Sequence, residues 1–92
     1  MKNKISIERK TLIMRSAVEE IQSDIKKSGS RETSLDFSRV IFVSASFADE
    51  LLSMINIFSS KGIRVKLINL PGDVRKMISV VKKRKLSIGK IK

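Results

Sequence analysis

The 92-residue chain contains no cysteine. Disulfides, thiolate nucleophiles and cysteine-based metal sites are therefore excluded. Histidine is absent too. That removes the usual imidazole base, the usual switch near neutral pH and the commonest metal ligand. Tryptophan and tyrosine are missing, and four phenylalanines are the only aromatics. The core must then be aliphatic, built from Ile, Leu, Val and Met. No run approaches the roughly 18 apolar residues of a membrane span. The opening MKNKISIERK is basic but has no apolar stretch of a secretory leader. The expectation is a soluble, cytoplasmic protein with no cofactor. This length suits one domain, 1–92, in which 1–10 and 86–92 are flexible or form short edge strands.

The charge that is present is unevenly placed. The formal net charge is +11. Residues 1–60 hold nine Lys/Arg against eight Asp/Glu, whereas residues 61–92 hold eleven Lys/Arg against Asp73 alone. An excess confined to one third of a chain marks either a solvated face or contact with a polyanion. Eight of the eleven make the basic cluster: Arg64, Lys66, Arg75, Lys76, Lys82, Lys83, Arg84 and Lys85. With no aromatic among them to stack a base, and no helix-turn-helix or zinc pattern, nucleic-acid contact would be non-specific and salt-dependent.

Hydrophobic periodicity divides the chain. KISI, 4–7, is a short strand. Over 11–27 the spacing of Met14, Ala17, Val18, Ile21 and Ile25 predicts a helix, stopped by Ser28-Gly29-Ser30. Leu35 and Phe37 alternate as in a strand, and VIFV at 40–43 is either a buried strand or the last leg of a bent one. Phe47, Ala48, Leu51, Leu52, Ile55 and Phe58 form a helical stripe, widened by Met54 and Ile57, that ends at Gly62. IRVKLI, 63–68, alternates apolar with Arg64 and Lys66, so one sheet face is left uncovered. After Asn69-Leu70-Pro71-Gly72-Asp73 a third helix carries Val74, Met77, Ile78 and Val81, with KKRK at 82–85 closing it and LSIGKIK as a last strand or a mobile end. Strand 40–43, helix 47–60 and strand 63–68 suit a parallel crossover. The class is α/β: a small layered fold, with a mixed sheet and helices packed mainly on one face.

The junction SASFADEL is the most informative stretch. Ser46 stands three residues before Asp49 and just ahead of the apolar stripe, which reads as an N-cap with a reciprocal capping box. Asp49 and Glu50 then fall in the first turn, where the helix dipole favours anions.

SLDFSRVIFVSASFADELL followed by IFSSKGIRVKLINLPGDVRKMI resembles the STAS superfamily, the domains of sulphate transporters and anti-sigma-factor antagonists. SASFADEL, with Met14-Arg15-Ser16-Ala17 at the first helix, is similar to a STAS-like family that has no assigned biochemical role. The resemblance spans roughly residues 33–82. It implies a small STAS-like layered fold and a non-enzymatic module that binds a protein partner, such as an ATP-binding histidine-kinase-like protein. In antagonists of that superfamily a serine at the strand-to-helix junction, within Asp-Ser-Ser/Thr-Gly, is phosphorylated. The matching positions here are Ser44, Ala45, Ser46 and Phe47, so the acceptor position holds alanine.

Candidate partner-binding and regulatory residues are thus Ser44, Ser46, Phe47, Asp49 and Glu50. For the serines, the plainer role is to let the chain turn and to cap the helix; a phosphoserine at Ser46 would be welcomed by the helix end but repelled by Asp49 and Glu50. Adjacent helical carboxylates do not face each other, so Asp49 and Glu50 do not form a proton-sharing dyad. Asp36 is suited to bonding a nearby loop, and no metal set accompanies it. Without His, Cys or a glycine-rich phosphate loop, the inventory for an enzyme is poor. The alternative function is a small basic nucleic-acid-binding protein. Self-association through the strand at 63–68 is conceivable, although Arg64 and Lys66 discourage edge pairing.

Overall fold

Alternation along three short strands sets the architecture. A computed structural model describes the backbone of residues 2–91 and the side chains of residues 3–85. The elements are β1 (Lys2–Ser6), β2 (Thr11–Leu12), α1 (Ser16–Ser28), β3 (Glu32–Asp36), β4 (Phe42–Val43), α2 (Ala45–Ser60), β5 (Arg64–Ile68) and α3 (Gly72–Ile91). They make a small α/β layered fold. β3 is the central strand of a sheet ordered β1-β3-β5, and β2 pairs with β4 in a second, two-stranded sheet. All these pairings are parallel, where a mixed sheet was expected.

Register places like with like. Asn3, Thr33 and Val65 lie side by side, as do Ile5, Leu35 and Leu67. Leu35 and Thr33 are wholly buried on this inner face, and Val65 nearly so. α1 packs on β1 and α2, while α2 packs on β5. On the outer face Lys4, Ser34 and Lys66 align, and Lys4, Arg64 and Lys66 are exposed. The uncovered face read from IRVKLI is thus present. Burial of Phe37, Val40, Phe47, Ala48, Leu51 and Val74 completes the core. No helix among the described residues is long and apolar enough to cross a membrane.

Several sequence expectations are corrected. VIFV is not the first strand of the crossover: β5 pairs with β3, and β4 belongs to the small second sheet. The bent-strand alternative describes it better. β1 runs on to β2 through residues 7–10, and β3 runs on to β4 through one residue more, 37–41. An extra residue on one of two paired strands is the arithmetic of a bulge, which bends the pair. Residues 11–14 are not helical. Thr11 and Leu12 form β2, α1 starts at Ser16, and Met14 is 68% exposed rather than in the core. α3 does not close at KKRK but continues through Ile91, so residues 86–91 are helical rather than a last strand, and Lys92 lies outside the described residues. Gly29 and Gly62, at φ +65 and +83, end α1 and α2 in the left-handed region that glycine favours.

Two polar groups in the sheet are informative. Thr33 Oγ1 is buried with no hydrogen-bond partner. Replacing an orphaned buried hydroxyl with an isosteric methyl removes a desolvation cost. We therefore expect Thr33→Val to leave stability unchanged or raise it by about 1 kcal/mol in denaturant titrations; a loss of that size would contradict the assignment. Asp36 Oδ1 accepts from the Ser38 N–H at 2.9 Å and from Asn69 Nδ2 at 3.2 Å, and Oδ2 lies 3.4 Å from Lys4 Nζ. The carboxylate so clips β1 and β3 to the turn after β5, where Asn69 takes a φ of 55. The Ser38 backbone N–H first, then the Asn69 amide, lower its pKa from 3.8 to about 2. A carboxyl more acidic in the fold than in the unfolded chain adds stability that is complete above about pH 4 and lost as pH falls through about 2. Melting wild type and Asp36→Asn across this window should show the smaller acid loss in the variant; parallel profiles would exclude the clip.

Candidate functional site

The strand-to-helix junction is organised by one serine, and it is not the expected one. The N-cap of α2 is Ser44, whose Oγ accepts from the Phe47 N–H at 3.0 Å. The same hydroxyl donates to the Ile13 carbonyl at 2.6 Å. The Ser44 N–H donates to the Leu12 carbonyl at 2.9 Å, and the Ser44 carbonyl accepts from the Ala48 N–H at 3.0 Å. Every polar group of Ser44 is engaged, in four hydrogen bonds: two with the helix and two with Leu12 and Ile13 at the end of β2. Ser46 is the second residue of α2, exposed, and the capping box with Asp49 is not formed. The reason is the shift of the helix start to Ala45. It leaves no acidic residue in the first turn and removes the dipole argument for Asp49 and Glu50.

Those two carboxylates instead tie helices together. Arg15, just before α1, reaches Glu50 Oε1 at 3.0 Å and Asp49 Oδ2 at 3.7 Å. Lys85 of α3 reaches Asp49 Oδ1 at 2.9 Å and donates to Ser53 Oγ at 2.8 Å. Partly exposed pairs of this kind each contribute little to stability. Their value is geometric: they fix the starts of α1 and α2 relative to α3. Phe47 is wholly buried, so it anchors the helix beneath the junction and does not itself face a partner.

What does face outward was missed in the sequence. Ile13, Met14, Ile41 and Phe42 are 55%, 68%, 63% and 45% exposed. Strand pairing brings their segments together: Thr11 pairs with Phe42 and Leu12 with Val43, so Ile13 and Met14 follow β2 while Ile41 precedes β4 and Phe42 opens it. Leu12 and Val43 point into the core. The exposed Ala45 and Ser46 continue the patch onto the first turn of α2. A signal for half of it existed. Alternation along the run 40–43 calls for one outward residue in two, but here the adjacent Ile41 and Phe42 are both exposed between the buried Val40 and Val43, so the pattern goes beyond what the period alone foretells.

The eight basic residues do not form one footprint. Arg64 and Lys66 stand on the outer sheet face, 3.8 and 3.6 Å from Glu32 Oε1. Arg75, Lys76, Lys82 and Lys83 lie on α3, which packs with α2 and β4 on the other side of the sheet. Arg84 is exposed on α3, and Lys85 is committed to Asp49. Among the described residues no cluster of acidic side chains is arranged to hold a metal ion.

Because Ser44 is the cap, Ser44→Ala should lower stability by about 1–2 kcal/mol, whereas Ser46→Ala should change it by less than about 0.5 kcal/mol. Chemical denaturation of both variants checks this, and the reverse order would restore Ser46 as the cap.

No family model, curated protein or solved structure matches the chain.

Proposed function

We infer that this protein is a non-enzymatic interaction module that binds a protein partner through the junction between β4 and α2. One observation carries this reading: of the six large apolar side chains exposed among the described residues, four, Ile13, Met14, Ile41 and Phe42, lie on or beside the two paired segments that lead into α2. A small soluble domain leaves scattered apolar residues exposed at little consequence, but a contiguous group beside polar groups is characteristic of a protein contact. The patch is also firmly mounted. Ser44 fixes its backbone on both strands, and Arg15, with Asp49 and Glu50, supplies a charged border. An interface centre of this kind, apolar and rimmed by ions, loses little entropy on binding because it is held in place beforehand.

The resemblance of SASFADEL and its flanking elements to STAS domains points the same way. There the strand-to-helix junction meets protein partners, among them histidine-kinase-like ATPases. In this chain alanine at position 45 removes the phosphoacceptor of that junction, so recognition here rests on Ile13, Met14, Ile41 and Phe42 rather than on a phosphate switch. The wide separation of Arg64 and Lys66 from the cations of α3 weighs against the polyanion alternative, because a single nucleic-acid backbone contacts one continuous basic surface.

Affinity capture with wild type and with Met14→Asp/Ile41→Asp tests the reading. Both positions are exposed, so the variant should melt within about 0.5 kcal/mol of wild type. A partner retained by wild type should bind it at least about tenfold more weakly, since interface centres tolerate a new carboxylate poorly. Equal retention by both proteins, or a polynucleotide as the sole tight ligand, would overturn the assignment.

A further inference from the structure

We propose that the groove bounded by α2, β5 and α3 binds a small amphipathic anion, with an apolar body on its floor and a carboxylate or phosphate head at its rim. The groove exists because the helices do not tile the sheet. α2 packs on β5, whereas α3 packs chiefly on α2 and β4. The inner face of β5 is therefore covered from one side only. The opening that remains has a volume of about 510 Å³, within the range of small-molecule sites.

Its lining is divided by chemistry. Leu52 and Ile55 of α2, Val65 and Leu67 of β5, and Leu70 of the following turn make an apolar floor. Leu52, Ile55, Leu67 and Leu70 are each only half-buried, so apolar surface remains to be covered. The α3 rim presents Arg75, Ser79 and Lys82, spaced i, i+4 and i+7 and so stacked along one helix face. Lys85 closes the lining but is already bonded to Asp49 and Ser53. Arg75 and Lys82 make no ion pair among the described residues, and no acidic side chain lines the groove. A head group of negative charge therefore meets two uncommitted cations and a hydroxyl. A neutral or cationic amphiphile would cover the same floor but leave that rim unanswered. Charge complementarity thus selects the anion, and the depth of the floor selects an apolar body over a bare ion. The groove and the apolar patch share no lining side chain, although Lys85 of the groove pairs with Asp49 at the border of the patch.

Amide chemical-shift titration of the full chain separates the possibilities. The probes are decanoate below its micelle concentration, decyltrimethylammonium, acetate, and phosphatidylglycerol vesicles. Decanoate should shift the amides of Leu52, Ile55, Leu70 and Ser79 saturably. Acetate and decyltrimethylammonium should each bind at least about tenfold more weakly, because each lacks one of the two required features. Arg75→Gln/Lys82→Gln should weaken decanoate by about tenfold with an unchanged melting curve, while Lys26→Gln/Lys27→Gln on α1 should have no effect. Equal binding of the cationic amphiphile, equal binding of acetate, or decanoate shifts centred on Ile41 and Phe42 would overturn the proposal. A response to vesicles without one to monomeric decanoate would do so as well, in favour of a membrane surface.

Discussion

Ser44 is the constraint from which the rest of the junction follows. Its four polar contacts join the last residues of β2 to the first turn of α2. A helix start must satisfy backbone N–H groups that have no partner within the helix. Here the same hydroxyl that does so also holds a neighbouring strand by its carbonyl. The end of the strand ribbon and the start of the helix are thereby fixed together. Leu12 and Val43 are turned inward, and Ile13 and Phe42 remain outside. Without this bond, the two-residue strands β2 and β4 would have little else to define their ends.

The second theme is coverage by a single helical layer. Parallel sheets are normally covered on both faces. This one is not, and its outer face carries Lys4, Glu32, Ser34, Asp36, Arg64 and Lys66 in register. Opposite charges on adjacent strands keep that face polar and paired, with Asp36 drawn to the Ser38 N–H and Asn69 and Glu32 set between Arg64 and Lys66. The same economy of helices produces the groove. Three helices spread over both the main sheet and the ribbon leave the inner face of β5 partly open. Polar face and groove are then two consequences of one incomplete layer.

Much of this was legible in the sequence. The stripe from Phe47 to Phe58 is present except for Ile57, which is 53% exposed, and the alternation Arg64-Val65-Lys66-Leu67 and the stops at Gly29 and Gly62 are also found, because period and punctuation are local properties. The uncovered sheet face followed from two charges on one strand. What failed was non-local. The spacing of Met14 fits the α1 stripe, but strand pairing between Thr11 and Phe42 outcompetes one further helical turn. The spacing of Ser46 to Asp49 suggests a capping box and so points to Ser46 as the cap. The decision lay with the Ile13 carbonyl, thirty-one residues away, which only Ser44 reaches. Likewise Arg15 and Lys85 gave no sign in the sequence that they would converge on Asp49.

The central claim is that an apolar surface is held rigidly in solvent at the leading end of α2. Methyl NMR with a soluble gadolinium chelate tests it most directly. The account predicts strong paramagnetic relaxation of the Ile13, Met14 and Ile41 methyls, protection of Leu12 and Val43, and backbone order across residues 41–46 equal to that of α2. Protection of Ile13 and Ile41 equal to that of Val43, or a disordered backbone through the ribbon, would contradict it.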